Sequence, residues 1–415
     1  MAGLGRSFGF LWASTAMSNL ADGLLKVGAP LLAVSLTRSP TLVSLVGAAA
    51  TLPWLLLALH AGAVADRADR RRVMVRANLV RAAILAGVTA PAASGLLNLW
   101  LLLAAVLLAG ASEVFADLSA QSVLPTTVSG PDLTRANGRV STAQMIGNDF
   151  VGAPLAGLLV AVVPAVLFGA PAVLYAAAGL LLLGMRGTYA PAPAARDRPM
   201  RADIAQALRF LGAHRVLRGL ALTAGALNFA NAAYFGVFVL WAVGEESAMG
   251  LRPAQYGLMT TAFAVGAVAG SLLAGRAARL FGEFRTLLGA WLVSALLLLV
   301  PVLVPSAWTL YPTAVLWGVL GAAGNVLVIS ARQRLIPAEL LGRVNSAYRL
   351  VGMGAMPLGA ALGGVVAEFA GLPAVLTGAT GVCLFAVGLL WRALSDQISE
   401  PLTSAPTLSD ISGSR

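Results

Sequence analysis

Long apolar stretches alternate with short polar breaks over almost the whole chain. Each stretch holds roughly 20 residues or more, enough for a helix to cross a bilayer. The twelve stretches run over residues 9–36, 41–65, 73–94, 98–124, 139–164, 168–185, 217–243, 254–275, 285–305, 308–331, 343–370 and 373–393. A chain in lipid must satisfy its own backbone hydrogen bonds, and these short breaks suit helix hairpins better than barrel strands. The pattern therefore predicts an all-α, polytopic membrane protein.

Composition and charge agree with this pattern. Hydrophobic residues make up 59% of the 415 residues, the mean hydropathy is +0.85 and the net charge is +11. Because the arginines lie between apolar stretches and do not gather on one soluble face, a membrane explains them better than nucleic acid does. Most of them follow the even-numbered stretches, whereas the opposite side carries only Arg38 and Arg252. We therefore expect a plasma-membrane protein with both termini in the cytoplasm.

The longest break divides the chain into two halves of six stretches each. We expect an N-terminal half over residues 1–186, a cytoplasmic linker over 187–216 and a C-terminal half over 217–394. Residues 395–415 are polar, rich in serine and proline and without periodicity, which predicts a disordered cytoplasmic tail.

The linker contains one segment with helical periodicity, "MRADIAQALRFLGAHRVLRGL". Its apolar positions, with arginines between them, are Ile204, Ala207, Leu208, Leu211 and Val216. This pattern predicts an amphipathic helix that lies at the inner membrane surface.

The two halves resemble each other in sequence. The break after the fourth stretch, "LPTTVSGPDLTRANGRVSTAQ", is echoed after the tenth by "IPAELLGRVNSAYR". Pro125 then corresponds to Pro337, and Arg139 to Arg343. Such repeats predict a pseudo-twofold arrangement and are typical of transporters in which one half rocks against the other.

A charged segment between the second and third stretches, "GAVADRADRRR", carries a family resemblance. It resembles the signature loop of the major facilitator superfamily, whose pattern is roughly Gly-x-Leu-Ala-Asp-Arg-x-Gly-Arg-Arg, although Asp69 replaces the usual glycine. Together with "LTRANGR" and "GNDFVGAPLAG", it most resembles the bacterial branch that includes siderophore, macrolide and drug exporters. The resemblance implies twelve transmembrane helices in two six-helix halves.

The resemblance also implies a role for this loop as a conformational latch. In the family, the loop meets helix 11 across the two halves and holds the outward-facing state. The residues that match this role are Gly62, Asp66, Arg67, Arg70 and Arg71. Asp66 can face Arg70 at i+4 and lie near the positive end of a neighbouring helix. The alternative is that the arginines only enforce orientation.

Ionisable residues inside the apolar stretches are candidates for proton coupling. Asp22 and Lys26 lie one helical turn apart, either as a neutralising ion pair or as a proton or cation site at Asp22 that Lys26 tunes. Glu113 and Asp117 have the same spacing, and Arg81 lies at a depth where it can meet one of them. These two carboxylates either carry protons or form a structural bridge to Arg81.

The fifth stretch contains "GNDFVGAPLAG", which only partly resembles the antiporter motif of drug exporters. Asp149 within it is a further candidate for proton coupling, and Asn148 beside it can line a cavity. The alternative is that its small residues serve close helix packing. The arginine-containing motif that proton antiporters carry in helix 4 is absent, because Glu113 occupies that region.

Polar and aromatic residues inside the stretches predict one amphipathic substrate cavity. The candidates are Asn19, Trp54, Arg81, Phe115, Asn148, Asn228, Asn231, Tyr234 and Tyr348. For each aromatic residue, ordinary packing is the alternative.

Motifs of other chemistries are absent from the sequence. The chain has one cysteine, two histidines and no phosphate-binding loop, so we expect no metal, no cofactor and no enzymatic activity. The sequence predicts a monomeric secondary transporter that exports a hydrophobic or amphipathic small molecule, such as a drug, antibiotic or siderophore, by proton antiport. The alternatives are uptake of a nutrient and a membrane receptor or scaffold that transports nothing.

Overall fold

The structure, a computed structural model, describes residues 4–65, 67–129, 132–190, 200–337 and 340–394. Over these residues the regular elements are helices, with one isolated β-bridge between Val243 and Leu251. The predicted tail at 395–415, residues 191–199 of the linker and Asp66 lie outside the described residues.

The N-terminal half consists of seven α-helices and one π-helical segment. They are α1 (Arg6–Leu36), α2 (Pro40–Ala65), α3 (Arg70–Ala93), α4 (Leu99–Thr127), α5 (Leu133–Met145), the π segment (Ile146–Gly152), α6 (Ala153–Val162) and α7 (Val166–Leu182). The linker helix and the C-terminal half follow. They are α8 (Met200–Ala213), α9 (Arg215–Ala242), α10 (Pro253–Phe281), α11 (Glu283–Leu297), α12 (Val300–Leu303), α13 (Ala307–Leu335), α14 (Leu341–Ala370) and α15 (Leu372–Leu394).

The helices of the described residues account for twelve membrane crossings. Ten segments are long and apolar enough to cross a bilayer, and α11 with α12 forms one of them. The shorter apolar helix α7 is the eleventh, and the continuous run from α5 through the π segment to α6 is the twelfth. The prediction of an all-α fold with twelve spans in two halves is therefore confirmed.

Local sequence signals explain where several helices begin and end. Asp69 and Asn98 accept hydrogen bonds from the backbone N–H groups of the first turns of α3 and α4. Gly282 and Gly371, each with φ of 83°, separate α10 from α11 and α14 from α15. Only glycine adopts this conformation without strain, which explains why α10 and α14 each end at a glycine.

The linker helix α8 packs against the C-terminal half. Ala207, Phe210 and Leu211 are buried in one cluster with residues of α9 and α14, and Arg343 donates a 3.2 Å hydrogen bond to Gln206. Leu208, predicted to belong to the apolar face, is 40% exposed. The location of this helix at the inner membrane surface stays a prediction.

The two halves meet closely at one end of the bundle. Glu368 of α14 accepts hydrogen bonds from the Ser39 hydroxyl at 2.7 Å and from the Thr41 backbone N–H at 3.2 Å. The Thr41 hydroxyl donates to the Gly364 carbonyl at 3.3 Å. This end lies opposite the arginine-rich connections. A carboxylate at the N-terminus of α2 thus joins the two halves by complementing the helix dipole.

Small residues allow close contact between helices within each half. In α10, a Cβ atom at Gly266 or Gly270 would overlap the backbone carbonyls of Val315 and Val319 in α13. A Cβ atom at Gly318 of α13 would in turn overlap the Phe263 carbonyl. The two backbones are in direct contact, as small residues spaced by four permit in membranes.

We predict that Gly270→Ala destabilises the protein by about 1–3 kcal/mol, because the added methyl group overlaps backbone that cannot rotate away. The matched control is Gly289→Ala in α11, where a Cβ would meet nothing within 4 Å and where alanine favours the helix. Thermal unfolding of the purified variants should show a lower midpoint for Gly270→Ala alone. Equal midpoints would contradict the close contact of α10 with α13.

Candidate functional site

A cavity of about 800 Å³ lies between the two halves, and its two walls differ in chemistry. Among the residues that the structure describes, the charged ones that line it all belong to the N-terminal half: Asp22, Lys26, Arg81, Glu113 and Asp117. The C-terminal half contributes apolar, aromatic and methionine side chains, together with a few threonines. The main aromatic and methionine contributors are Tyr234, Phe235, Phe263, Trp317, Met353 and Met356. One wall is therefore ionic and the other is largely apolar.

Arg81 is the centre of the ionic wall. Its side chain is only 2% exposed, and its Nη2 donates to the Asp22 carboxylate, to Glu113 Oε2 at 3.2 Å and to the Tyr175 hydroxyl at 2.6 Å. The Tyr175 hydroxyl donates to Asp22 Oδ1 at 2.6 Å. The guanidinium also lies over the Tyr175 ring, with Cζ 3.9 Å from the ring centroid.

This cluster joins four helices of the N-terminal half. Asp22 lies on α1, Arg81 on α3, Glu113 on α4 and Tyr175 on α7. An isolated charge in a membrane interior is costly, so a buried arginine requires acceptors on its neighbours. The sequence predicted that Arg81 meets Glu113 or Asp117, and the structure brings it to Glu113. Asp117 lines the cavity one turn further along α4.

Of the two alternatives for Asp22 and Lys26, the direct ion pair is not formed in the structure, and the proton site at Asp22 stays a prediction. Lys26 Nζ instead lies 3.4 Å from Asp149 Oδ1, while Asp22 is held by Arg81 and Tyr175. Arg81 is too deeply buried to be solvated, so it takes the nearest carboxylate. Lys26 has a flexible side chain that is 64% exposed, and it reaches the π segment instead.

The π segment follows from the position of a proline. Ala153 N–H bonds to the Asn148 carbonyl, five residues earlier, and in this register the next donor, to the Asp149 carbonyl, would be Pro154, which has no N–H. The Thr261 hydroxyl of α10 donates to the Asp149 carbonyl at 3.0 Å. This hydrogen bond joins the two halves next to the cavity-lining residues Asn148 and Thr260.

The same segment packs directly on α1. A Cβ atom at Gly152 would overlap Gly23 of α1, and one at Gly23 would overlap the Asn148 backbone. The Asn148 side chain donates to Asn19 Oδ1 at 2.8 Å. The stretch "GNDFVGAPLAG" therefore combines close helix packing with cavity lining, which the sequence analysis treated as alternatives.

Of the nine predicted cavity residues, five line the central cavity, three line a second cavity and one lines neither. Those that line the central cavity are Asn19, Trp54, Arg81, Asn148 and Tyr234. Those that line a second cavity of about 340 Å³ inside the C-terminal half are Asn228, Asn231 and Tyr348. Phe115 lines neither of these cavities, because its ring packs edge-on against His60 with centroids 6.0 Å apart. The prediction of one shared pocket is therefore wrong.

The arginines of the predicted latch contact helix ends within the N-terminal half. Arg70 donates to the carbonyls of Ala65 at 2.9 Å and Ser122 at 3.2 Å. Arg71 donates to the carbonyls of Leu182 and Leu183, while Arg67 is exposed. Gly62 has nothing within 4 Å of a Cβ position. These arginines satisfy carbonyls near the ends of α2, α4 and α7.

Several residues that line the cavities or contact their walls were not found from the sequence. Tyr175 is a single phenol in the apolar helix α7, and a buried phenol needs a hydrogen-bond partner, which was an available signal. Thr261, Phe263 and Trp317 carry no such signal, because their spacing is also that of ordinary packing. Within the described ranges, no group of three His, Cys, Asp or Glu side chains could hold a metal ion.

In the described part of the chain, twelve membrane crossings in two halves surround a central cavity with an ionic wall, which defines a membrane transporter of the major facilitator type. The chain belongs to the transmembrane secretion effector family, whose model matches residues 4–406. The enterobactin exporter EntS of Escherichia coli O1:K1 is 28% identical over 389 residues, which cover 90% of this chain and 88% of that protein. EntS of Citrobacter koseri is 28% identical over 400 residues, covering 92% and 90%.

Solved structures with the same fold are more distant in sequence. The nucleoside transporter NupG, as its D323A mutant, gives a TM-score of 0.75 at 12% identity and covers 94% of this chain and 100% of its own. A bacterial homologue of the iron transporter ferroportin, in an inward-facing state, gives 0.72 at 18% identity and covers 95% and 100%. These two similarities establish the fold alone.

We predict that Arg81→Gln destabilises the protein by about 3–5 kcal/mol, because two carboxylates and a phenol lose their common partner. Adding Asp22→Asn to Arg81→Gln should recover part of this loss, because one unpaired charge disappears. Arg334→Gln is the control, since its ion pair with Glu283 lies at the surface and contributes little. Thermal unfolding of the purified variants measures all three. An Arg81→Gln midpoint equal to that of Arg334→Gln would show that the cluster is not structural.

Proposed function

We propose that the protein exports a hydrophobic or amphipathic small molecule by alternating access. The observation that carries this proposal is the central cavity, in which an ionic wall faces a wall of aromatic and methionine side chains. Its volume of about 800 Å³ suits a drug-sized or larger natural product. An amphipathic molecule can place its polar groups toward Asp22, Lys26 and Glu113 and its apolar surface against Phe263 and Trp317.

The direction of transport is supported by relatives, and the closed end of the bundle shows which state of the cycle the structure represents. The relatives from Escherichia coli and Citrobacter koseri are named as exporters. With the orientation that the arginines predict, the end joined by Glu368, Ser39 and Thr41 faces outside. An exporter loads its substrate in a state that is closed at that end. Cross-half contact of the latch residues then belongs to the opposite state.

Proton coupling is proposed at the cluster around Arg81. Asp22 accepts from two donors, Arg81 and Tyr175, whereas Glu113 accepts only from Arg81 at 3.2 Å and is 32% exposed. Glu113 is therefore the member that a proton reaches from the cavity. Protonation of Glu113 neutralises one of the two carboxylates that bind Arg81. Asp22 is then the one negatively charged partner of Arg81 in this cluster. This exchange couples the charge of the cavity wall to the packing of α3 and α4.

Cells that express the protein should accumulate less of its substrate than cells without it. A panel of amphipathic dyes and natural products, measured in intact cells with and without a protonophore, identifies that substrate. Trp317→Ala should raise accumulation because it removes part of the aromatic wall. Trp308→Ala, at a side chain that is 90% exposed, is the matched control and should export normally. Higher accumulation with the protein would indicate uptake, and no flux of any compound would indicate a receptor or scaffold.

In proteoliposomes, Glu113→Gln and Asp22→Asn should each abolish substrate transport driven by a pH gradient while downhill exchange persists. The reason is that each variant removes one of the two carboxylates between which Arg81 is shared. Glu283→Gln, a surface carboxylate paired with Arg334, is the control and should keep full gradient-driven flux. Full pH-driven flux in both Glu113→Gln and Asp22→Asn would exclude the cluster as the proton site.

A further inference from the structure

The second cavity lies inside the C-terminal half and adjoins the central cavity. Phe263, Leu298 and Trp317 line both cavities, and the Phe263 and Trp317 rings pack with centroids 5.0 Å apart. Its lining is richer in hydrogen-bonding groups than the aromatic wall on the other side of Trp317. Six polar side chains line it: Asn228, Asn231, Ser294, Asn325, Arg332 and Tyr348. No carboxylate is among its lining residues in the described part of the chain.

Arg332 is the only charged group that lines this cavity within the described ranges. Its guanidinium stacks on the Tyr348 ring, with Cζ 4.2 Å from the ring centroid, and its Nε is buried without a hydrogen-bond partner. Arg334, two residues along α13, faces the surface and pairs with Glu283. The inward-facing arginine thus differs from one that only marks the end of a helix.

The carboxylates of the C-terminal half that the structure describes have other positions or partners. Glu283 pairs with Arg334, and Glu368 binds Ser39 and Thr41. Glu245 and Glu246 are exposed in the connection between α9 and α10. Arg332 therefore has no neutralising partner among the described residues. A half-buried guanidinium of this kind is a binding group for an oxyanion, which its planar fork recognises through paired hydrogen bonds.

The remaining lining residues indicate what the anion is attached to. Trp291 and Trp317 supply flat apolar surfaces, while Asn231 Oδ1 and Ser294 Oγ are buried polar atoms without partners. We propose that this cavity is a second ligand site, in which Arg332 binds the carboxylate of a small aromatic acid and the tryptophans contact its ring. The volume of about 340 Å³ holds a single substituted ring. The proposal concerns binding alone, so it goes beyond export and does not depend on it.

The test is equilibrium dialysis of radiolabelled benzoate against the purified protein in phosphatidylcholine nanodiscs, with binding to empty nanodiscs subtracted. Benzoate should bind saturably, and benzamide, its neutral analogue, should bind at least about 10-fold more weakly because charge-assisted hydrogen bonds are lost. Arg332→Gln should reduce benzoate affinity by a similar factor, whereas Arg332→Lys, which keeps the charge, should retain more of it. Arg334→Gln is the matched control and should bind benzoate as the unaltered protein does.

Four results would overturn the proposal: no saturable benzoate binding, equal affinity for benzamide, unchanged affinity in Arg332→Gln, or displacement by inorganic phosphate as effectively as by unlabelled benzoate. The last result would mean a general anion site that does not recognise the ring. If Arg332→Gln does not elute as a folded protein, the comparison of benzoate with benzamide on the unaltered protein decides the matter. A protein that exports its substrate but does not bind benzoate would disprove this inference and leave the proposed export intact.

Discussion

The N-terminal half depends on one buried guanidinium. Arg81 is almost fully removed from solvent, and it is stable there because Asp22, Glu113 and Tyr175 reach it from three other helices. Each of those side chains is fixed in turn by its contact with Arg81, so the packing of α1, α3, α4 and α7 and the polarity of the cavity wall have a common origin. A hydrophobic residue at position 81 would pack, but it would remove the donor of Glu113 and leave Asp22 with the Tyr175 hydroxyl and no positive charge.

The two halves share a backbone arrangement but have different interiors. In the N-terminal half, charges of both signs face the central cavity, whereas the C-terminal half presents aromatic and methionine side chains there and keeps Arg332 behind them. The sequence repeat covers loops and helix ends, which set the fold, and does not cover these interior positions. Similarity between the halves therefore predicts the architecture well and the chemistry of the cavity poorly.

The fold was predictable because a bilayer leaves few choices: an apolar stretch of sufficient length must be a helix, and arginine-rich connections recur on alternate turns. The pairing of the charges was not. Spacing along α1 placed Asp22 and Lys26 within reach of each other. In the structure, Asp22 pairs with Arg81 and Lys26 pairs with Asp149, both of which are distant in the sequence. Arg81 of α3 competes with Lys26 for Asp22, and Asp149 of the π segment competes with Asp22 for Lys26. The helical repeat of α1 contains no information on either competition. Phe115 was misplaced for a different reason: the rotation of α4 about its axis decides which aromatic ring faces the cavity, and spacing along the helix does not fix that rotation.

The missing N–H of Pro154 has a consequence for the motion of the halves. In the π register the i+5 donor to the Asp149 carbonyl would be Pro154, and the Thr261 hydroxyl supplies the hydrogen bond instead while the halves are in contact at this point. When the halves separate with the π register kept, a water molecule takes the place of the hydroxyl. Opening the cavity at this point is thus a hydration reaction as well as a rotation, and its equilibrium shifts with the activity of water as well as with the ligand.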